Sequence, residues 1–346
     1  MTTKLINYGV LFFAVLLLNT NNKTMAQQTP SPTIQWQKSF GGLSFDSLKS
    51  LEQTSDGGYI LGGYSSSTIS GNKTSVRYGS DDYWIIKLDG NGNKIWERSF
   101  GGTDYESLQS IQQTSDGEYI LGGYSSSGIT GNKTSPNYGG EDYWIIKLDV
   151  NGNKVWEQSF GGTGGDKLST LHQTSDGGYI LGGWSSSIAS GNKITPNYGS
   201  SDYWVIKLDS NGSKVWEQSF GGTSYDLLLD LQQTRDDGFI LGGWSHSVSS
   251  GNKTSTNYGS DDCWLIKLDA NGNKVWERSF GGSFEDYLYG LQQTTDGGYI
   301  LGAYSYSGIS GNKTSLNYGG SDYWIIKLDG NGNKIWEKFF GGLDGD

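Results

Sequence analysis

The chain has 346 residues and a net charge of −11, which argues against nucleic acid or an anionic lipid surface as a partner, since both need clustered Lys and Arg. Its 55 Gly, 4 Pro, 13 Trp and 22 Tyr exclude a disordered chain, which would be poor in aromatics, and describe a folded one rich in turns. A single cysteine, Cys263, excludes an internal disulfide framework.

The first residues read as an export signal. Lys4 gives a positive start, Val10 to Leu18 (VLFFAVLLL) a short apolar core, and Thr24-Met25-Ala26 a small-residue cleavage site. The apolar run is too short to span a bilayer, and no later stretch is long and apolar enough for a membrane helix. The expectation is a secreted or cell-surface protein without membrane insertion. Residues 1–26 form the leader, 27–32 a linker, and 33–346 one repeat domain.

Thr33 to Phe40 (TIQWQKSF) reads as an outer strand standing before the first full copy of a sixty-residue unit. The unit recurs at about 44–102, 103–162, 163–222, 223–282 and 283–342. Within the first copy, Ser47 to Thr54 is a strand that ends in Ser-Asp-Gly-Gly, and Tyr59 to Tyr64 follows at once as its hairpin partner. The paired Gly62-Gly63 would weaken a strand, so they suggest close approach by a neighbouring backbone. Ser65 to Asp81 is dense in Ser, Gly and Asn and reads as a loop. Tyr83 to Leu88 and Ile95 to Phe100 then flank Asn91-Gly92, a strong short hairpin signal. Four short strands per copy, with about 42 residues left once the long loop is set aside, match the roughly 40–50 of a four-stranded propeller blade. The fold class expected is all-β, a propeller of four-stranded blades with five repeats, in which the Ser47 strands lie innermost and surround a channel.

An apolar run ending in Gly-Gly, then Tyr-Trp, then a lone Trp after an Asn-rich turn resembles the kelch repeat. The pairing DGGYILGG with IIKLDGNGNKIWERSFGG is more similar to the sixty-residue "delta-60" repeats of secreted bacterial propeller proteins of the Bacteroidetes. The resemblance covers 33–346 and implies a fold rather than a function; the long loop departs from kelch, so kelch partner biology does not carry over. The fifth copy brings its own outer strand, and the chain then enters a sixth at Gly341 to Asp346. One outer strand is surplus, which favours a fragment of a protein with more blades.

Chain direction sends the five long loops to one face of the blades and the tight turns to the other. Function on a scaffold concentrates in such loops. Tyr78, Tyr138, Tyr198, Tyr258 and Tyr318 recur near the loop ends, and Asn72, Asn132, Asn192, Asn252 and Asn312 in the repeated Gly-Asn-Lys core; with the neighbouring Lys73 they suit a polar ligand, a glycan or a protein. Tyr64, Tyr124, Trp184, Trp244 and Tyr304 recur where each loop begins. Asp46, Glu106, Asp166, Asp226 and Asp286 recur just before each inner strand. A ring of such oxygens could hold calcium; the alternative is that each accepts hydrogen bonds from its own blade connection. Asp89-Gly-Asn91-Gly-Asn93 mimics half of a calcium loop but reads as a hairpin turn, and Asn72, Asn132, Asn252 and Asn312 fit glycosylation acceptors in a host with that machinery. His172, His246 and Cys263 break the repeat and read as drift. No catalytic residue is expected, and no cofactor other than calcium. The expected function is a non-enzymatic scaffold that binds through the long-loop face. The alternative is a propeller hydrolase or lyase, which would need one blade to diverge from its copies; by sequence none does.

Overall fold

The computed structural model describes residues 33–345, so the expected leader, the linker and Asp346 lie outside the described residues. The described residues are all-β: five four-stranded antiparallel sheets, each built from one sixty-residue copy in simple up-and-down order. The first blade comprises β1 (Asp46–Gln53), β2 (Tyr59–Ser65), β3 (Asp82–Leu88) and β4 (Lys94–Phe100). The second has β5 (Glu106–Gln113), β6 (Tyr119–Ser125), β7 (Asp142–Leu148) and β8 (Lys154–Phe160). The third has β9 (Asp166–Gln173), β10 (Tyr179–Ser185), β11 (Asp202–Leu208) and β12 (Lys214–Phe220). The fourth has β13 (Asp226–Gln233), β14 (Phe239–Ser245), β15 (Asp262–Leu268) and β16 (Lys274–Phe280). The fifth has β17 (Asp286–Gln293), β18 (Tyr299–Ser305), β19 (Asp322–Leu328) and β20 (Lys334–Phe340). The four strand positions expected per copy are met to within a residue or two at each end.

Blades join by burying opposite faces. Because successive side chains alternate across a strand, β7 sends Tyr143 and Ile145 forward while Trp144 and Ile146 face back. The front of the second blade (Ile120, Tyr143, Ile145, Phe160) packs on the back of the third (Leu168, Leu171, Tyr179, Leu181, Trp204). The same junction forms between each successive pair, and in the first three a front Tyr hydroxyl donates to the next blade's Trp carbonyl, as Tyr143 does to Trp204 at 3.0 Å. In the fourth junction Cys263 replaces that Tyr; it is fully buried, and burial pushes its thiol well up, so it is an inert packing residue.

Gly62 and Gly63 answer to two different neighbours. A Cβ on Gly63 would strike the Ser47 carbonyl, beside the bulge between Leu48 and Ser50, whereas one on Gly62 would lie 2.6 Å from Leu108 of the next blade. At the first hairpin turn Gly57 adopts φ 81°, and the fourth copy fills that position with Asp237 at φ 59°. Its carboxylate accepts a hydrogen bond from Ser175 at 3.0 Å, a partial compensation for the left-handed backbone.

Two expectations about the ends change. Thr33 to Phe40 joins no sheet; instead Trp36 lies edge-on against Tyr59 at 5.6 Å, as Trp96 lies against Tyr119 at 5.8 Å. The segment therefore stands where the fourth strand of a preceding blade would pack, and it does not complete the fifth blade, which keeps β20. Nor does the expected ring close among the described residues, where no core cluster joins the fifth blade to the first.

Candidate functional site

The long loops are pinned rather than free. Lys73 is buried, its Nζ donating to the Ser75 carbonyl at 2.8 Å with the Trp84 ring 5.8 Å away, and its four copies are held alike. Burial pushes these ammonium groups down from their usual range. The expectation that Lys73 offers its charge to a ligand is thus corrected: its carbonyl partners and the Trp face lie inside the loop. Glu97 seals the same loop, accepting from the Thr74 and Ser75 amides while pairing with Lys94 at 2.5 Å.

The Asn series is equally engaged. Asn132 accepts the Gly101 amide at 2.9 Å and donates to the Ser99 carbonyl at 3.0 Å, stapling each loop to the preceding blade's exit; Asn72, Asn192, Asn252 and Asn312 do the same. The Tyr78 series stands between roles. Cβ atoms of Tyr138, Tyr198 and Tyr258 press on Gly191, Gly251 and Gly311 of the following loop, while the rings of Tyr78, Tyr258 and Tyr318 remain exposed.

The recurrent carboxylates are absorbed by their own connections. Asp166 accepts the Gly162 amide at 2.8 Å and the Ser187 hydroxyl at 2.7 Å; Asp46, Glu106, Asp226 and Asp286 hold the equivalent amides. Among the described residues no three His, Cys, Asp or Glu side chains gather as a metal site. Asp89 is a turn residue, its Oδ1 accepting the Asn91 and Asn93 amides at 2.8 Å. This bonding predicts superimposable calorimetric melting curves in calcium and in chelator; a higher melting temperature in calcium would return Asp46, Glu106, Asp166, Asp226 and Asp286 to the role of ligands.

A second carboxylate series recurs at the same sixty-residue spacing but does not read as a site, because the sequence does not show that these acids are buried. Asp82, Asp142, Asp202, Asp262 and Asp322 are buried, each accepting the Tyr amide four residues earlier with Oδ2 while Oδ1 receives no hydrogen bond. A Cβ on Gly161 would run into Asp142 Oδ1 and lie 2.8 Å from Asp166 Oδ2. Two buried carboxyl groups thus share one glycine at the blade exit, which is why Phe-Gly-Gly returns in every copy. Burial, then the neighbouring Asp166, pushes Asp142 up to about 7.

What the loop face does offer is a band of half-buried rings. Tyr64, Tyr105 and Tyr124 follow one another at 6.1 Å and 6.1 Å, and Lys167 continues the line with its Nζ 5.3 Å from Tyr124 and 5.4 Å from Trp184. At the junction of the fourth and fifth blades the band widens. Trp244, Tyr287 and Tyr304 succeed one another at 5.2 Å, Tyr289 stacks on Tyr304 at 5.4 Å, and Tyr306 adds an edge at 5.9 Å.

Polar groups converge on that junction, as Glu141 and Lys167, paired at 3.0 Å, do in the same register between the second and third blades. His246 Nδ1 lies 2.9 Å from Asp261 Oδ1, and the Tyr287 hydroxyl donates to Asp261 Oδ2 at 2.8 Å. Burial and the Asp261 carboxylate both push the Tyr287 hydroxyl up, so it stays a donor. The expectation that no blade diverges is corrected here: His246 and Tyr306 replace the Ser of the first three copies, Tyr287 and Tyr289 stand at positions that vary from copy to copy, and folding brings all four to one place. Their spacing in sequence hid this, although departures from the copies at loop edges were the available signal. His172 is different, a strand residue against Thr170 that burial pushes down to about 4, hence neutral.

The opposite face is not bare either. A shallow groove between the first two blades is lined by Asp56, Lys87, Trp96 and Tyr119, with Lys87 and Asp56 paired at 2.9 Å.

No protein-family model matches the chain. It is similar to the regulatory protein FlaEY of Caulobacter vibrioides, 26% identical over 162 residues, which is 44% of this chain and 17% of that protein. The chain thus spans less than a fifth of that relative. Among solved structures it is similar to a Bacteroides caccae protein of unknown function (10% identity, 85% of this chain and 82% of that one, TM-score 0.44). It is also similar to the Neurospora crassa Pan2 WD40 domain (12% identity, 85% and 66%, TM-score 0.46).

Proposed function

We propose that this chain is a non-enzymatic scaffold of the secreted or cell-surface propeller type that binds a glycan, or a protein displaying one, through its long-loop face. The observation that carries the reading is the ring band, which ends in a polar cluster at the fourth–fifth junction. Half-buried rings are rigid and lose little entropy on contact, and a sugar face stacks on them while its hydroxyls meet polar neighbours. His246, Asp261 and Tyr287 supply a donor and acceptor set beside Trp244 and Tyr304. The binding centre is this junction, with weaker repeated contacts along the band adding avidity. Secretion and kinship with the delta-60 or kelch-like repeats belong to the same proposal, supported by the apolar N-terminal run and the repeat motifs.

A hydrolase or lyase centre is the second reading, favoured by the His246–Asp261 pair alone. Among the described residues no Ser or Cys side chain is hydrogen-bonded to either group, and binding explains the surrounding rings better. A glycan array tests the proposal. The intact protein is expected to bind a defined subset. Trp244→Ala with Tyr304→Ala is expected to weaken that binding about tenfold or more, the worth of one to two stacked rings. Changing Tyr78, Tyr138, Tyr198, Tyr258 and Tyr318 to Ala is expected to weaken it less. An array with no signal, or binding unchanged by the Trp244 and Tyr304 pair, would sink the reading.

A further inference from the structure

Two junctions on the loop face share a pattern that the others lack. Between the fourth and fifth blades, the rings of Trp244 and Tyr304 accompany the acid Asp261 and the donor Tyr287. Two copies earlier in the chain the same positions are Tyr124, Trp184, Glu141 and Lys167. Lys167 Nζ pairs with Glu141 at 3.0 Å and lies 5.3 Å from the Tyr124 ring and 5.4 Å from the Trp184 ring. The Lys167 side chain is 30% exposed and that of Glu141 34%, so both charges can be reached from outside.

The residue two places before Lys167 decides whether the pair is covered. Phe45, Tyr105 and Tyr225 set a ring in the connections that lead into the first, second and fourth blades. Tyr105 fills the place between Tyr64 and Tyr124, at 6.1 Å from each, and Ser107 beside it is buried. The connection into the third blade carries Gly164-Gly165 instead, and the connection into the fifth carries Glu285. A Cβ on Gly165 would meet only the Glu141 carboxylate at 3.0 Å and the Ser186 hydroxyl at 3.7 Å. A ring-sized slot is thus left between Tyr124 and Trp184, lined by an acceptor and a donor. At the junction of the third and fourth blades Ser201 and Leu227 replace the acid and the donor, so the pattern skips it.

We propose, resting on the sugar-binding reading of the fourth–fifth junction, that Tyr124, Glu141, Lys167 and Trp184 form a second sugar subsite and that the ligand is an extended neutral polysaccharide engaging both. A sugar ring entering the slot stacks on a flanking aromatic face, while Glu141 accepts from one hydroxyl and Lys167 donates to the next. A carboxylated sugar would meet Glu141 or Asp261 at either site, and the −11 charge of the whole chain, which selects against acidic polymers. Packed sheets stand about 10 Å apart, so sites two blades apart lie on the order of 20 Å from each other, beyond the reach of a disaccharide. The second contact is then intramolecular, and chain length governs affinity more than the fit of one sugar.

Affinity electrophoresis in gels containing starch, a β-glucan, a xylan or a galactomannan tests this, with polygalacturonate as the acidic control. At least one neutral polymer is expected to retard the intact protein, and polygalacturonate is not. Trp184→Ala with Lys167→Ala is expected to weaken that interaction about tenfold or more, as the loss of one of two linked sites does. Gly165→Tyr is expected to do the same by filling the slot, and to keep the fold, since three copies carry a ring there. Disaccharides of the retarding polymer are expected to compete poorly. Retardation that falls in the Trp244→Ala, Tyr304→Ala pair but in neither of these variants overturns the second subsite and leaves the sugar reading standing. Retardation by polygalacturonate alone overturns it too. So does a positive glycan array without retardation by any neutral polymer, whereas a blank array with no retardation sinks both.

Discussion

Trp204→Ala is expected to cost about 3–5 kcal/mol, the range for emptying a large aromatic site in a core that cannot collapse. Trp204 is fully buried, its ring 4.8 Å from Tyr143 of the preceding blade, and its carbonyl accepts that Tyr hydroxyl. The loss falls on the second and third blades and spreads to their neighbours, because a serial array couples each unit only to the next. Trp36→Ala, at a half-covered ring on the end of the array, is expected to cost about 1 kcal/mol, in line with a partial burial. Urea unfolding of the two variants gives the comparison. Equal losses would mean that the blades do not share buried faces in the order described.

The second large effect is in pH. Burial, and then a neighbouring carboxylate, holds Asp142, Asp202 and Asp262 up at about 7 and Asp82 at about 6, from an ordinary value of 3.8. A carboxyl group that keeps its proton more tightly in the fold than in the open chain stabilises the fold at low pH. That contribution is complete below about pH 4 and is lost as pH rises to about 7. Each tenfold displacement of a proton equilibrium is worth about 1.4 kcal/mol, so several copies acting together make a large term. His172, pushed down to about 4, works the other way between pH 6.5 and 4, against these four and Asp230, which burial also holds up at about 6. Asp56, held down to about 2 mainly by the Thr54 hydroxyl and then by Lys87, loses its contribution only in stronger acid.

The thermal midpoint is therefore expected to fall from about pH 4 to pH 8. Changing Asp142, Asp202 and Asp262 to Asn places a permanent amide donor where the proton sat, and is expected to flatten that fall and raise the midpoint at pH 8. A midpoint that climbs steadily to pH 8, or an unchanged slope in the triple variant, would show that these carboxyl groups do not hold their protons more tightly in the fold.

The blade was legible because two independent signals coincide in it. The near-continuous apolar run of Tyr83 to Leu88 marks a strand buried on both faces, and the Asn91-Gly92 and Asp56-Gly57 turns fix which strands pair. The ends were not legible, since Thr33 to Phe40 carries a strand's pattern but has no third strand to pair with. The polar series misled for a related reason. Asn72 and Lys73 have ligand-binding chemistry, yet a long loop must satisfy its own buried carbonyls and amides first, and these residues do that. The widened ring cluster was hidden because His246, Asp261 and Tyr287 are scattered over two copies and meet only when one blade packs on the next.

Hydrogen exchange of the protein with and without the glycan that the array selects tests the functional account most directly. Protection is expected in the amides around Trp244 to His246, Ser260 to Asp262, Tyr287 to Tyr289 and Tyr304 to Tyr306, with the Asp-Gly and Asn-Gly turns of the opposite face unchanged. Protection centred instead on the groove of Asp56, Lys87, Trp96 and Tyr119 would place binding on the turn face and contradict the account.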